Sequence, residues 1–411
     1  MDVSLPVGAE SSSSPRLFVT LIRASFATTI AVLPVFLLGA LAVFIRRELG
    51  FSETLLGSLV SVWYILSSVT SVWGGRLTER LGAGRAMAVA GMCSIVSLLG
   101  IAVVAQAWWH LIPFLLIGSL GNAIAHPTAN LSLARDIPVA RMGFAFGVKQ
   151  SAVPLASVLG GFAVPAIGLT LGWRYAFGLA ALLAGVFVFS LPKTQRRPPD
   201  APRRPDRTGD IAVAPLVILG LAGGLGTMAT NPLAIFYVEG AVAHGFSAAL
   251  AGSALALGSM TAIVFRVIWG LVADRWSGSR LTLVSLLTAT GAVGLVLLGQ
   301  ARSLWMLGLA TLLAFAVGWG WAGLFQFAVV KINPAAPAEA TGIVMTFMRL
   351  GGILGPLTIG ALAERTNYGF TWFIGGVILL CSSLMIQVAR VTIRRDIRSR
   401  APVAAQGGGV G

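Results

Sequence analysis

Long apolar runs recur twelve times along this chain, each cut off by a short polar break. They cover approximately residues 17–45, 53–75, 86–106, 110–134, 143–170, 172–191, 213–238, 248–272, 281–301, 303–330, 341–363 and 369–391. A run of about 20 apolar residues crosses the roughly 30 Å of bilayer hydrocarbon as a helix. The pattern predicts an all-α membrane protein with twelve transmembrane helices. Between the sixth and seventh runs lies PKTQRRPPDAPRRPDRTGDIA, residues 192–212, rich in Pro and charge and without an apolar run. It reads as a flexible linker. The expected organisation is a tail over 1–16, a six-helix half over 17–191, the linker over 192–212, a second six-helix half over 213–391 and a tail over 392–411.

Composition sharpens this picture. Only 10% of the 411 residues are charged, where a soluble domain has about 25%. The net charge of +15 would fit a nucleic-acid binder, but its distribution argues otherwise. Of the 29 Lys and Arg, 20 fall on the side that would hold both chain ends, while Arg46, Arg47, Arg174, Arg302 and Arg365 fall on the other. That asymmetry predicts a multi-pass protein of the cell (plasma or inner) membrane with both termini cytoplasmic. Attraction to anionic lipid is a secondary effect. Met1–Pro15 carries no basic residue and does not read as a secretory signal. The 50 glycines suit helices that pack closely in a bilayer.

Candidate chemistry is sparse. Cys93 and Cys381 fall inside apolar runs and read as packing residues. No Gly-x4-Gly-Lys-Ser/Thr loop provides for ATP, and no His, Cys, Asp and Glu cluster suggests a metal or a catalytic site. The chain reads as a non-enzyme with no cofactor. Arg23, Lys149, Arg266 and Arg349, however, lie inside apolar runs, whereas all 14 acidic residues read as lying between runs or in the tails. An ionisable group at membrane depth costs about 2.5 kcal/mol or more, so it usually faces a cavity and carries function. Cations without carboxylates imply a cavity that attracts a small anion.

Within that cavity Arg266, Arg349 and Lys149 are the expected substrate-binding residues. The guanidinium fork can hold both oxygens of a carboxylate. Arg349 stands beside Gly351 and Gly352, before Pro356. His126, followed by Pro127, either carries a coupled proton or serves as a hydrogen-bonded structural group. Gln150 follows Lys149, and Arg23 lies so near the start of its run that it reads first as a side chain reaching for the surface. Tyr64, Asn122, Asn231, Tyr237, Trp319, Trp321 and Gln326 are further polar or aromatic candidates to shape the cavity.

The two halves echo each other. Gly75-Arg-Leu-Thr-Glu79-Arg80, followed by Arg85, recurs as Gly270-Leu-Val-Ala-Asp274-Arg275, followed by Arg280. Arg135-Asp-Ile-Pro138 and Lys331-Ile-Asn-Pro334 form a second echo. Six plus six helices with a site between the halves is the parallel-repeat plan of secondary transporters. The paired loops resemble the signature loop of the major facilitator superfamily, with Glu79 where Asp is usual. The resemblance implies a cytoplasmic latch that breaks when that side opens. In physical terms, the glycines would let backbones pass closely, the acids would face a helix N-terminus and the arginines would pair with carboxylates or carbonyls. The pattern Arg266-x3-Gly270-x3-Asp274 is also similar to the eighth span of the oxalate/formate antiporter and monocarboxylate transporter branches, where the arginine binds the substrate carboxylate.

The reading is therefore alternating-access transport of a small organic anion of the mono- or dicarboxylate class, with protons or a counter-anion as coupling partner. Multidrug efflux by proton antiport is the alternative, disfavoured by the cationic lining. A non-transporting receptor or scaffold would need neither latch nor buried charge.

Overall fold

A computed structural model describes residues 14–137, 142–191, 212–275, 278–333 and 337–400. The linker, except for Ala212, and most of both tails lie outside these residues, as do Pro138 and Pro334 of the second echo. Among the described residues all regular structure is helical: α1 (Ser14–Ala40), α2 (Ala42–Leu49), α3 (Glu53–Leu81), α4 (Ala83–Val104), α5 (Leu111–Asp136), α6 (Met142–Gln150), α7 (Ala152–Ala163), α8 (Trp173–Phe189), α9 (Val213–Thr230), α10 (Leu233–Ala243), α11 (Ala248–Arg275), α12 (Arg280–Gln300), α13 (Leu304–Leu312), α14 (Trp321–Ile332), α15 (Pro337–Arg365) and α16 (Tyr368–Arg400). Among the described residues eleven helical segments are long and apolar enough to cross a membrane, and the shorter apolar α8 occupies the place of the sixth expected span.

Several spans are jointed, for reasons visible in the sequence. Asn231 and Pro232 separate α9 from α10. Five residues of π-helix, Leu313–Val317, and a turn at Gly318-Trp319-Gly320 separate α13 from α14. Such a turn frees backbone carbonyls, which inside a bilayer must find other donors. Gly318 also lets α12 approach, since a Cβ on Gly291 would lie 2.2 Å from the Gly318 Cα.

The halves meet mainly along three seams, α1 with α10, α3 with α15 and α7 with α11. Contact is closest towards the face opposite the chain ends. There a Cβ on Gly57 would lie 2.2 Å from the Pro356 carbonyl oxygen, one on Gly360 2.5 Å from that of Glu53, and one on Gly161 2.6 Å from the Ala256 nitrogen. Towards the chain-end face the packing opens, and Gly75, Gly270 and Gly342 have nothing within 4 Å of their Cβ positions.

Two expectations need correction here. Gly75 and Gly270 are not close-approach sites; Gly74, one residue earlier, is, with the Ala123 carbonyl oxygen 2.4 Å from its would-be Cβ. Nor do the acids all avoid the spans. The helix after Pro232 runs on through residue 238 to Ala243, because no stop signal occurs before Gly245, whose φ is +93°. Glu239 is therefore inside a span, with 5% of its surface exposed. The last helix likewise continues past 391 to Arg400, since no Gly or Pro interrupts it.

Candidate functional site

Proline creates the first element of the site. Pro154 has no N–H, so the carbonyl of Gln150 lacks its intrahelical donor. Arg266 fills that vacancy from the other half: its Nη1 donates to Gln150 O at 2.6 Å. Its Nη2 donates to Trp319 O at 3.3 Å, a carbonyl released by the turn before α14, and its guanidinium lies 5.6 Å from the Trp319 ring centroid. The Nε is buried without a partner. Arg266 thus spans α11, the α6–α7 joint and the α13–α14 turn, held by neutral dipoles alone.

Lys149 lies one residue before that joint and is only 4% exposed. Its ammonium donates to His126 Nδ1 at 3.0 Å. An ammonium has no acceptor, so Nδ1 accepts and the neutral ring carries its proton on Nε2. Gln150 Nε2 donates across the halves to Gln326 Oε1 at 2.9 Å. Arg349, on α15, donates from Nη1 to Ser71 Oγ on α3 at 3.0 Å, and its charge, with that of Lys149, acts on His126. The structure therefore gathers Lys149, Gln150, His126 and Arg266 with Gln326 and Trp319, and sets Arg349 within electrostatic reach on the neighbouring seam.

The ion pairs found among the described residues join Arg46 to Glu53, Arg46 to Glu239 and Arg174 to Glu48. None involves Lys149, Arg266 or Arg349. Arg23 makes no hydrogen bond or ion pair among the described residues and stays outside the cluster. Of the other candidates, Trp321 is fully buried in the second half's core, and Tyr237 is fully buried with its hydroxyl on Thr311. Asn122 donates to Ser67 Oγ at 2.6 Å.

Glu79, Arg80 and Arg275 of the paired loops are exposed and form no ion pair among the described residues. Arg85 is exposed but does have a partner. Arg280 lies over the Phe327 ring at 5.3 Å, and the side chain of Asp274 falls outside the described residues.

Sequence reasoning missed a second polar cluster, at the opposite face. Arg46 Nη1 lies 2.7 Å from Glu239 Oε1 and 2.8 Å from Glu53 Oε1, and its Nε donates to Phe51 O at 3.0 Å. Tyr368 OH donates to Glu239 Oε2 at 2.9 Å. These side chains come from α2, α3, α10 and α16, so the cluster ties the halves together. The signal was available: Glu239 follows Pro232 by seven residues with no helix stop between them. Ser71, Ser157 and Ser259 were also missed, the last two bonded across α7 and α11 at 2.8 Å; single serines in apolar runs give no signal of their own.

Comparison with known proteins bears on this geometry. The sequence profile described as Major Facilitator Superfamily matches residues 24–356. The chain is 26% identical over 368 residues to a "Probable nitrate/nitrite transporter NarK2" of Mycobacterium tuberculosis, covering 85% of this chain and 89% of that protein. It is 25% identical over 390 residues to a "Putative tartrate transporter" of Agrobacterium vitis, covering 86% of each. Among solved structures, a D-xylose-proton symporter superposes with a TM-score of 0.69 at 17% identity, covering 90% of this chain and 96% of that one. That last likeness speaks for the fold alone.

Proposed function

Because this chain belongs to the major facilitator superfamily, we propose that it is a secondary transporter of a small anion, moved by alternating access through the site between its halves. The observation that carries this reading is the buried Lys149 and partly buried Arg266, with Arg349 on the neighbouring seam, none of them in an ion pair among the described residues. An uncompensated charge at this depth is costly, and an entering anion would relieve it. Arg266 now rests on two carbonyl oxygens. A planar oxyanion would replace them with a charge-assisted fork, roughly twice as strong as a neutral hydrogen bond.

The substrate class we favour is a mono- or dicarboxylate. Nitrate shares the planar oxygens, and the relatives are named for nitrate/nitrite and for tartrate. His126 is the nearest group able to take a coupled proton, since an anion that captured the Lys149 ammonium would free Nδ1. The latch would close in the opposite state, when Gly75 and Gly270 come under packing. We further propose that both termini are cytoplasmic, as the basic residues favour. Cysteines at residues 205 and 398 should then be protected from an impermeant thiol reagent outside intact cells, and one at residue 243 should react.

Thermal unfolding of the purified protein against carboxylates, nitrate, phosphate and lipophilic cations tests the substrate class. A ligand at 100 times its Kd stabilises the native state by about 2.7 kcal/mol. We expect stabilisation by one or more carboxylates; stabilisation by nitrate alone moves the substrate to inorganic oxyanions. Stabilisation by lipophilic cations and by no anion would sink the reading in favour of drug efflux.

A further inference from the structure

A groove of about 490 Å³ opens on the outside of the first half, between α3, α4 and α5. Its walls are apolar: Trp73 and Leu77 from α3, Cys93 from α4, and Leu120 and Ile124 from α5. Trp73 is 59% exposed, too much for a core residue of this size. On the floor of the groove α3 and α5 pack closely, where a Cβ on Gly74 would lie 2.4 Å from the Ala123 carbonyl oxygen. Pro127 on α5 withholds the N–H that would have bonded that carbonyl.

One end of the groove is cationic. Arg76 and Arg80 line it, and their spacing of four stacks them on one face of α3, in its last turns. Both are exposed and neither has a hydrogen bond or ion pair among the described residues. They stand at the face that carries the chain ends, where headgroups of that leaflet lie. Thr70, also in the lining, lies deeper than Arg76 and Arg80 by about 9–15 Å along α3.

We propose that this groove is a binding site for one anionic phospholipid. An acyl chain would lie along Trp73, Leu77 and Leu120, and the phosphate would be held by Arg76 and Arg80. The shape and the charge pattern agree: an apolar slot in a lipid-facing wall, open to the bilayer, ending in two unpaired guanidiniums at headgroup depth. Guanidinium forks match phosphate oxygens in geometry as well as charge. The site is separate from the cluster around Arg266, and it holds whether or not the transported substrate is an anion.

The test uses full-length, delipidated protein in detergent, with phosphatidylglycerol or phosphatidylcholine added and bound lipid read by native mass spectrometry. Wild type should retain phosphatidylglycerol in preference to phosphatidylcholine. The double variant R76Q/R80Q should lose about 25-fold in phosphatidylglycerol affinity, taking each arginine as worth about fivefold, with phosphatidylcholine unchanged. Cys93→Phe, which fills the groove and leaves both arginines, should weaken both lipids. R394Q/R395Q removes the same charge from exposed positions near the end of α16 and should keep the preference. Three outcomes would overturn the site: wild type binding both lipids alike, R394Q/R395Q losing as much as R76Q/R80Q, or a lipid-independent dimer that occludes the groove.

Discussion

Arg46 and Arg266 both join the two halves, and they do so in opposite chemical settings. Arg46 sits in a cage built by the chain itself, with Glu53, Glu239 and the Phe51 carbonyl around it. Arg266 has carbonyl oxygens and an aromatic ring, and no carboxylate among the described residues. A guanidinium whose counter-charge is encoded in the chain is complete, and it acts as a fastener. One whose counter-charge is missing keeps its capacity for an anion. Burial and cationic charge alone do not distinguish the two; the neighbours do.

The comparison is broken most forcefully at Arg266. Arg266→Lys keeps the charge and loses the planar fork, so a bidentate anion site should still lose most transport. Arg266→Ala should lose at least as much. Removing one partner of a buried charged hydrogen bond costs about 2–5 kcal/mol, or roughly 30- to several-thousand-fold. Uptake of the stabilising anion into proteoliposomes, beside thermal unfolding of each variant, gives the answer. Full uptake by a well-folded Arg266→Ala protein would reduce Arg266 to a second fastener.

That contrast also marks how far the sequence was legible. Twelve apolar runs and a Pro-rich charged break suffice for the helices, because a bilayer leaves the backbone almost no alternative. Lys149, Arg266 and Arg349 stand out for a related reason: a cation in hydrocarbon is conspicuous. Which of them meet is a different matter. The contact between Arg266 and Gln150 joins residues of different halves and turns on the missing N–H of Pro154. Glu239 was hidden by a helix end placed five residues too early. Register between spans depends on helix rotation, and the apolar periodicity of a helix buried among lipid and protein alike is too weak to reveal it.

The fastener itself gives the next largest effect. Glu239→Gln keeps the shape and a hydrogen-bonding carbonyl while removing the charge opposite Arg46, and Glu53 remains to share it. Bonds to charged groups contribute about 1.5–3 kcal/mol, so the unfolding free energy should fall by an amount in that range and the thermal midpoint should fall with it. The seam of α3 with α15, near Ser61 and Ile353 (2.6 Å), should become more reactive to thiol reagents when a cysteine is placed in it. An unchanged midpoint together with an unchanged labelling rate would show that the glycine contacts close this face unaided.

The other ion pair at that face, Arg174 with Glu48, should matter least, and pH separates it from Arg46 and Arg266. Glu48 accepts from Arg174 and from Trp173 Nε1 (2.6 Å), and Arg174 also donates to Ala105 O at 2.7 Å. Partial burial pushes the Glu48 carboxyl up, but the bonds to Arg174 and Trp173 and the arginine's charge outweigh it, leaving the group below its usual value. A carboxylate with a depressed folded pKa contributes stability above its unfolded pKa and loses it as pH falls through the folded value. The contribution should thus be complete near neutrality and fade on acidification below the ordinary carboxylate range. Side-chain exposure of 47% for Glu48 and 34% for Arg174 exposes the pair to solvent screening, so its worth is at most about 1 kcal/mol. Thermal midpoints of wild type and Glu48→Gln, followed from pH 7 downward, should differ slightly at neutrality and converge in acid. A gap that widens as pH falls would show that this carboxylate strains the face instead of holding it.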